Sequence, residues 1–154
     1  MTVLEFTSSI PASRRALFEF HTDFTNVKIV TPPFIRLRFA AVPLKMMEGS
    51  RMTVEIFQGI RWMPWDVTVE KLVPDSLLVD VQSGRGPFRY WKHEHIISDN
   101  EGSIFLTDRL HYQLPFGFIG KIADLLFFRM IHSMLFSYRH KKTKEFFQQY
   151  DRTT

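Results

Sequence analysis

The 154-residue chain contains no cysteine, which excludes disulfides, zinc–thiolate sites and thiol nucleophiles. No run of about 18 uninterrupted apolar residues is present to span a bilayer, so no integral membrane segment is expected. The opening stretch "MTVLEFTSSI" lacks the charged-then-apolar layout of a secretory signal, and a cytoplasmic location is expected. Glycine is sparse, and the one clustered occurrence, "SGRGPF", leads into a strand rather than a helix. It therefore reads as a turn, and no phosphate loop, nucleotide fingerprint or nucleophile elbow appears. Charge of one sign is also scarce. The net charge of +4 comes from basic residues spread along the chain, so nucleic acid is not an expected partner. The one basic run, "YRHKKTK" at 138–144, falls late on a helix and reads as a solvated face, with contact to a phosphate or lipid headgroup as the alternative.

What the chain has in quantity is aromatic surface. Phenylalanine alone supplies 16 residues, enough either to pack a tight core or to line a cavity. At this length a single domain over residues 1–154 is expected.

The periodicity changes along the chain. Residues 2–10 alternate as a strand, with Leu4, Phe6 and Ser8 on one side. Pro11 and Ser13 then start a helix carrying Ala16, Leu17 and Phe20 on one stripe. Asp23 caps a second short helix that Thr31-Pro32-Pro33 must end, because proline cannot continue the hydrogen-bond ladder. From residue 35 six strand-like runs follow, separated by hairpin-length turns such as Glu48-Gly49-Ser50, Pro74-Asp75 and Asp99-Asn100-Glu101-Gly102. These predict an antiparallel meander, about seven strands in all. From Phe116 to about Tyr150 there is no proline, and one long helix is expected. The class is α+β.

That order, together with "GPFRYWKHEHII", the "DNEG" turn and "LTDRLHYQLPFG" before a long helix, resembles the START/Bet v 1-like (SRPBCC) superfamily. The motif over residues 84–120 is similar to a bacterial ligand-binding branch related to polyketide cyclase/dehydrase proteins. The resemblance implies a helix-grip fold: a curved antiparallel sheet wrapped around the C-terminal helix, with an elongated cavity between them. It does not imply a particular ligand, since fold alone does not fix function.

Strand parity locates the candidate site. In "YWKHEHI", Trp91, His93, His95 and Ile97 share a face opposite the charged Lys92 and Glu94. On the next strand Ile104, Leu106, Asp108, Leu110 and Tyr112 share a side. Both uncharged or mostly apolar sets are expected to face inward, with Glu94 and Arg109 pairing outside. The expected ligand-binding wall is Phe88, Trp91, His93, His95, Leu106, Asp108, Leu110 and Tyr112. Within it, His95, Asp108 and Tyr112 are the candidate catalytic residues, because an imidazole oriented by a carboxylate moves protons near neutral pH. Buried polar groups that merely satisfy one another and orient a ligand are the bland alternative. Two histidines at i and i+2 could share a metal with Asp108, but a strand HxH is a weak signal and His111 points the other way. No metal and no cofactor are expected.

Trp62 and Trp65 lie an odd number of residues apart and should face opposite ways unless Pro64 marks a bulge. On the C-terminal helix the apolar surface of "DLLFFRMIHSMLFSY" is wider than an ordinary core stripe. Phe127, Phe128, Ile131 and Met134 exceed what one cavity covers, with Arg129 and His132 on the less apolar side. A homodimer or partner protein docking there is one expectation. The leading expectation is binding of a hydrophobic or amphipathic small molecule between sheet and helix. The alternatives are a cyclase, dehydratase or isomerase using the same polar patch, and an interaction module docking through the helix.

Overall fold

The structure, a computed structural model, describes residues 1–151. Seven strands form one curved, unclosed antiparallel sheet: β1 (Thr2–Ser9), β2 (Leu37–Ala41), β3 (Arg51–Phe57), β4 (Trp62–Val73), β5 (Leu77–Gln82), β6 (Tyr90–Asn100) and β7 (Ser103–Gln113). Their order is β1-β7-β6-β5-β4-β3-β2. Strands two to seven are therefore a meander, and β1 closes on the far side of β7, in register from Thr2 opposite Tyr112 to Ser9 opposite Phe105.

Between β1 and β2 the chain leaves the sheet. Helix α1 (Arg14–Thr22) starts where Ser13 Oγ accepts the Ala16 amide, and buries Leu17, Phe18, Phe20 and His21. Asp23 then caps a 3₁₀ turn (Phe24–Asn26) through the Thr25 amide, leading into the single turn of α2 (Val27–Val30). The Ser13 cap and the proline stop are where the sequence puts them, whereas Asp23 caps the 3₁₀ turn and α2 itself follows Asn26 without a side-chain cap.

The C-terminal helix departs from the expectation of one regular helix. It runs as α3 (Gly117–Ala123), a π-helical turn (Asp124–Phe128) and α4 (Arg129–Asp151). A π turn widens the helix locally, and here it falls where Asp124 reaches β1 and β7.

Core residues sit on the concave face, where the inward rows of β1, β7 and β6 meet α4. Phe6 stacks on Phe136 at 4.9 Å, and Leu110, Tyr112, Trp91 and Phe136 belong to one buried cluster. A second cluster, with Leu17, Phe20, Ile97, Leu106 and Phe147, joins α1 to the end of α4. Trp62 and Trp65 do face opposite ways. Trp65 packs edge-on against Trp91, whereas Trp62 lies under the Arg38 guanidinium on the outer face. Pro64 marks no bulge, since β4 stays in register with β3 across it. Its side of β4 has no β5 partner, because that pairing begins at Val67, so no ladder bond is lost there. Gly86, in the turn before β6, allows close approach: a Cβ there would sit 2.0 Å from Gln82 Oε1.

Candidate functional site

Both inward rows lie on the side that strand parity predicts. Along β6, Trp91, His93, His95 and Ile97 are buried while their neighbours are not, and along β7 Leu106, Asp108, Leu110 and Tyr112 are buried. Glu94 and Arg109 come within 3.6 Å on the other face, and His111 points there too, 3.7 Å from Glu94.

Asp108 is the centre of the site. It lies directly opposite His95 in the β6–β7 register and opposite Phe6 in the β1–β7 register, and is 1% exposed. His93 Nε2 donates to its Oδ1 at 3.0 Å, and His140 Nε2, from α4, donates to its Oδ2 at 2.8 Å. His95 Nδ1 approaches Oδ1 to 2.6 Å as an ion-pair contact without an aligned N–H. Three imidazoles thus surround one carboxylate. His140 passes the contact outward, since its Nδ1 lies 2.8 Å from Ser8 Oγ. With Nε2–H on Asp108, Nδ1 is the acceptor of the serine hydroxyl.

Two groups from other elements complete the cluster. Asp80, on β5, lies opposite His93, and its Oδ2 is 3.7 Å from His95 Nε2. His21, on α1, sets its ring 4.9 Å from that of His95. Sequence reading missed Asp80, His21 and His140. On β5 the odd positions Leu77, Val79 and Val81 are all apolar, so alternation alone points Asp80 outward. His140 stands inside the basic run read as a solvated face. In the structure it is buried, as is Thr143, while Lys141 and Lys144 are exposed and Lys142 is partly so.

The electrostatics follow from burial and charge. Burial opposes ionisation of Asp108, but the charges of His95 and His93 and the bonds from His140 and His93 outweigh it and hold the carboxyl well below its ordinary range. Burial likewise opposes a charge on His95, yet Asp108 and Asp80 together raise it to about 9. His93 goes the other way, to about 4, because burial and the neighbouring His95 charge exceed the help of Asp108. Burial and His95 also push His21 well below its ordinary value. Adjacent imidazoles with displaced proton affinities are the arrangement in which acid and base roles separate.

Tyr112 is not part of this cluster. Its hydroxyl donates to Asp124 Oδ1 on the π turn, and Thr2 Oγ1 (2.6 Å) and Arg129 Nε (3.3 Å) donate to the other oxygen. Burial and the Asp124 carboxylate raise the Tyr112 phenol well above its ordinary value. His132, expected on the less apolar side, is instead buried against the Tyr112 ring at 4.7 Å, with Nδ1–H given to Phe128 O at 2.8 Å. The expected His95–Asp108–Tyr112 group therefore divides into a histidine network and a separate tyrosine–carboxylate lock on the C-terminal helix. Tyr112→Phe removes one donor from a buried carboxylate that keeps two others. It should lower stability by about 1–2 kcal/mol in urea unfolding, and an unchanged midpoint would remove the lock from the account.

A cleft lies between edge strand β1 and α4. It has a volume of about 490 Å³ and is lined by Phe6, Ser8, Phe136, His140, Lys141 and Lys144 among others. Of the histidine network, His140 alone lines this cleft. The expected wall residues, Phe88, Trp91 and the inward rows of β6 and β7, are packed into the core and do not line it. A shallower hollow of about 400 Å³ lies on the outer face by Trp62, Pro64 and Arg85.

No family model matches the chain, and no curated protein does. Solved structures do. A START superfamily protein from Mycobacterium smegmatis superposes with a TM-score of 0.69 at 12% identity, over 96% of this chain and 97% of that one. The Bet v 1 allergen Ara h 8.0201 gives 0.64 at 10% identity, over 96% and 98%. The chain has the START/Bet v 1-like helix-grip fold. A nucleoside-diphosphate sugar epimerase from Corynebacterium glutamicum matches with a TM-score of 0.70 at 23% identity over 97% of this chain. This chain spans 30% of the length of that protein.

Within this helix-grip fold, the surplus apolar surface expected on the C-terminal helix is present. Phe116 and Phe118 are 81% and 76% exposed, and Phe127, Ile131 and Met134 are also open to solvent. Phe128 turns inward onto the core. None of the described helices is long and apolar enough to cross a membrane.

Proposed function

We propose that the protein binds a hydrophobic or amphipathic small molecule between the sheet and the C-terminal helix. The observation that carries this reading is the β1–α4 cleft. Its volume falls in the range of small-molecule sites, and it combines apolar walls with a few polar groups. Phe6 and Phe136 offer stacked aromatic surface at its base. Ser8 presents a hydroxyl oxygen held in place through His140 and Asp108. Lys141 and Lys144 line the same cleft, and their charges favour an amphiphile with an anionic head, such as a fatty acid or an acidic polyketide-like molecule. Similarity to START and Bet v 1 structures supports a ligand-binding use of the fold in general.

Oleate is a suitable probe. It should bind one per chain, and Ser137→Trp, which fills the cleft from an exposed position, should weaken binding at least tenfold. Equal affinity in that variant would remove the cleft from the binding role.

A second reading is acid–base catalysis of the cyclase, dehydratase or isomerase kind. The observation favouring it is the pair of neighbouring imidazoles displaced in opposite directions, to about 9 and about 4. In that case Ser8 Oγ is the group that meets the reacting molecule, and His140 and Asp108 position it. Native mass spectrometry with chromatography and NMR separates the two readings. A co-purifying molecule that keeps its mass, chromatographic retention and NMR spectrum on incubation supports binding, and one that changes in any of the three supports catalysis.

A further inference from the structure

We propose that Asp80, His93 and His95 form a binding site for a single divalent transition-metal cation, of the zinc, cobalt or ferrous type, with Asp108 as the carboxylate that orients its histidines. One ligand atom from each of the three residues lies within 4.8 Å of the others, and all three residues are buried. They come from two adjacent strands, with Asp80 directly opposite His93 and Leu78 opposite His95, so the inward pleat brings them to one place. His95 Nε2 and Asp80 Oδ2 are 3.7 Å apart. Two ligand atoms on a tetrahedral ion, each about 2.1 Å from it, stand about 3.4 Å apart. The His95–Asp80 pair is thus within a few tenths of an ångström of the spacing an ion requires.

The second observation is independent of spacing. Asp80 Oδ1 is a buried carboxylate oxygen with no hydrogen-bond partner, although Asp80 as a whole is 8% exposed. His21 Nε2, whose ring packs on His95, also lacks one. His95 Nδ1 meets Asp108 without an aligned bond. Buried polar atoms are nearly always satisfied, and of these three the free oxygen of Asp80, itself one of the ligand residues, points to a missing electrophile. Two buried carboxylates, Asp80 and Asp108, carry two negative charges, which one divalent ion held by neutral imidazoles would balance.

The outer contacts fit as well. Metal-bound histidine typically gives its other ring nitrogen to a carboxylate, which fixes the ring. Asp108 takes His93 Nε2 and faces His95 Nδ1, leaving His93 Nδ1 and His95 Nε2 as the coordinating atoms. Two imidazoles and one carboxylate suit zinc, cobalt or iron(II) rather than calcium or magnesium, which prefer oxygen. The fourth position would be free for water or a ligand group. His140 bonds Asp108 and lines the β1–α4 cleft, so one side chain separates the carboxylate that orients the ligands from that cleft.

The test uses the full chain stripped with EDTA and titrated with Co²⁺, followed by its visible absorption, then with Zn²⁺ as competitor. One Co²⁺ per chain, in a low-coordinate spectrum that Zn²⁺ abolishes, with a raised melting temperature, is expected. Asp80→Asn and His95→Gln should lower affinity at least a hundredfold. Asp108→Asn, which leaves the ligands in place, should lower it about 10–100-fold. His111→Gln, on the outer face, should change nothing. Far-UV circular dichroism confirms that each variant is folded. If Asp80→Asn fails to fold, Asp108→Asn and the wild-type stoichiometry carry the test. No stoichiometric binding, binding unaffected by the inner variants, or binding lost in His111→Gln would each overturn the proposal.

Discussion

Asp108→Ala is expected to cost about 3–5 kcal/mol of folding stability, the usual penalty for removing one partner of a buried ionic cluster. The reason is that nothing else in the core can replace it. The carboxylate takes hydrogen bonds from His93 and His140 and an ion-pair contact from His95, all with negligible exposure. Deleting it leaves three imidazoles facing a void, with Asp80 alone in reach of one of them. For a chain of this length each kcal/mol moves the melting temperature by about 2–4 °C, so a fall of roughly 6–20 °C is expected. Asp108→Asn keeps the shape and one acceptor oxygen and should cost less, about 1–3 kcal/mol. Melts of both variants in EDTA test this. Equal, small losses in the two would mean that the carboxylate is not the keystone of the cluster.

How much of this arrangement could be read from the chain depends on which residues carried a periodic signal. The β6 and β7 rows were legible because each strand alternates, with the charges of β6 on one face and an inward row on β7 that is apolar apart from Asp108 and Tyr112. That placed His93, His95, Asp108 and Tyr112 inside and His111 outside. The caps at Ser13 and Asp23 were legible because capping is local chemistry. Asp80 was not, because alternation on β5 sets the apolar Leu77, Val79 and Val81 against the face of Asp80 and Gln82 and so points Asp80 outward. Its orientation comes from pairing with β6, a non-local fact. His140 was hidden for the opposite reason. Four neighbouring basic residues suggested a wet face, but a helix turns about 100° per residue, so one position in such a run can point straight at the sheet.

Tyr112 shows a different limit. Parity correctly turned it inward, yet parity says nothing about partners. Its hydroxyl is taken by Asp124, whose position depends on a π turn that no simple period announces. The same turn changes the helical phase beyond Phe128, and His132 moves with it onto the Tyr112 ring rather than to the less apolar side. The division of labour in the site, with a histidine network under the cleft and a tyrosine lock beside it, is therefore a property of the helix irregularity as much as of the strands.

Stability of the metal-free protein should pass through a maximum near pH 6–7 and fall on both sides, for two separate reasons. On the alkaline side the group is His95, raised from 6.5 to about 9. Below pH 6.5 it is protonated whether the chain is folded or not. Between 6.5 and 9 the folded state keeps a proton that the unfolded chain releases, so stability drops by about 1.4 kcal/mol per pH unit, roughly 3 kcal/mol across the window. On the acid side the groups are His93, lowered to about 4, and His21, lowered well below 6.5. As pH falls below 6.5 the unfolded chain takes up protons that these buried rings refuse, and stability falls again, with a further loss as Asp108 is driven toward protonation below 3.8. Urea midpoints in EDTA from pH 4 to 9.5 would show the dome. Asp108→Asn removes the main charge holding the His95 proton and should flatten the alkaline limb while leaving the acid limb in place. A wild-type profile that is level or rising between pH 6.5 and 9 would mean that the proton does not reside on His95, and that Asp108 is paired through neutral hydrogen bonds alone.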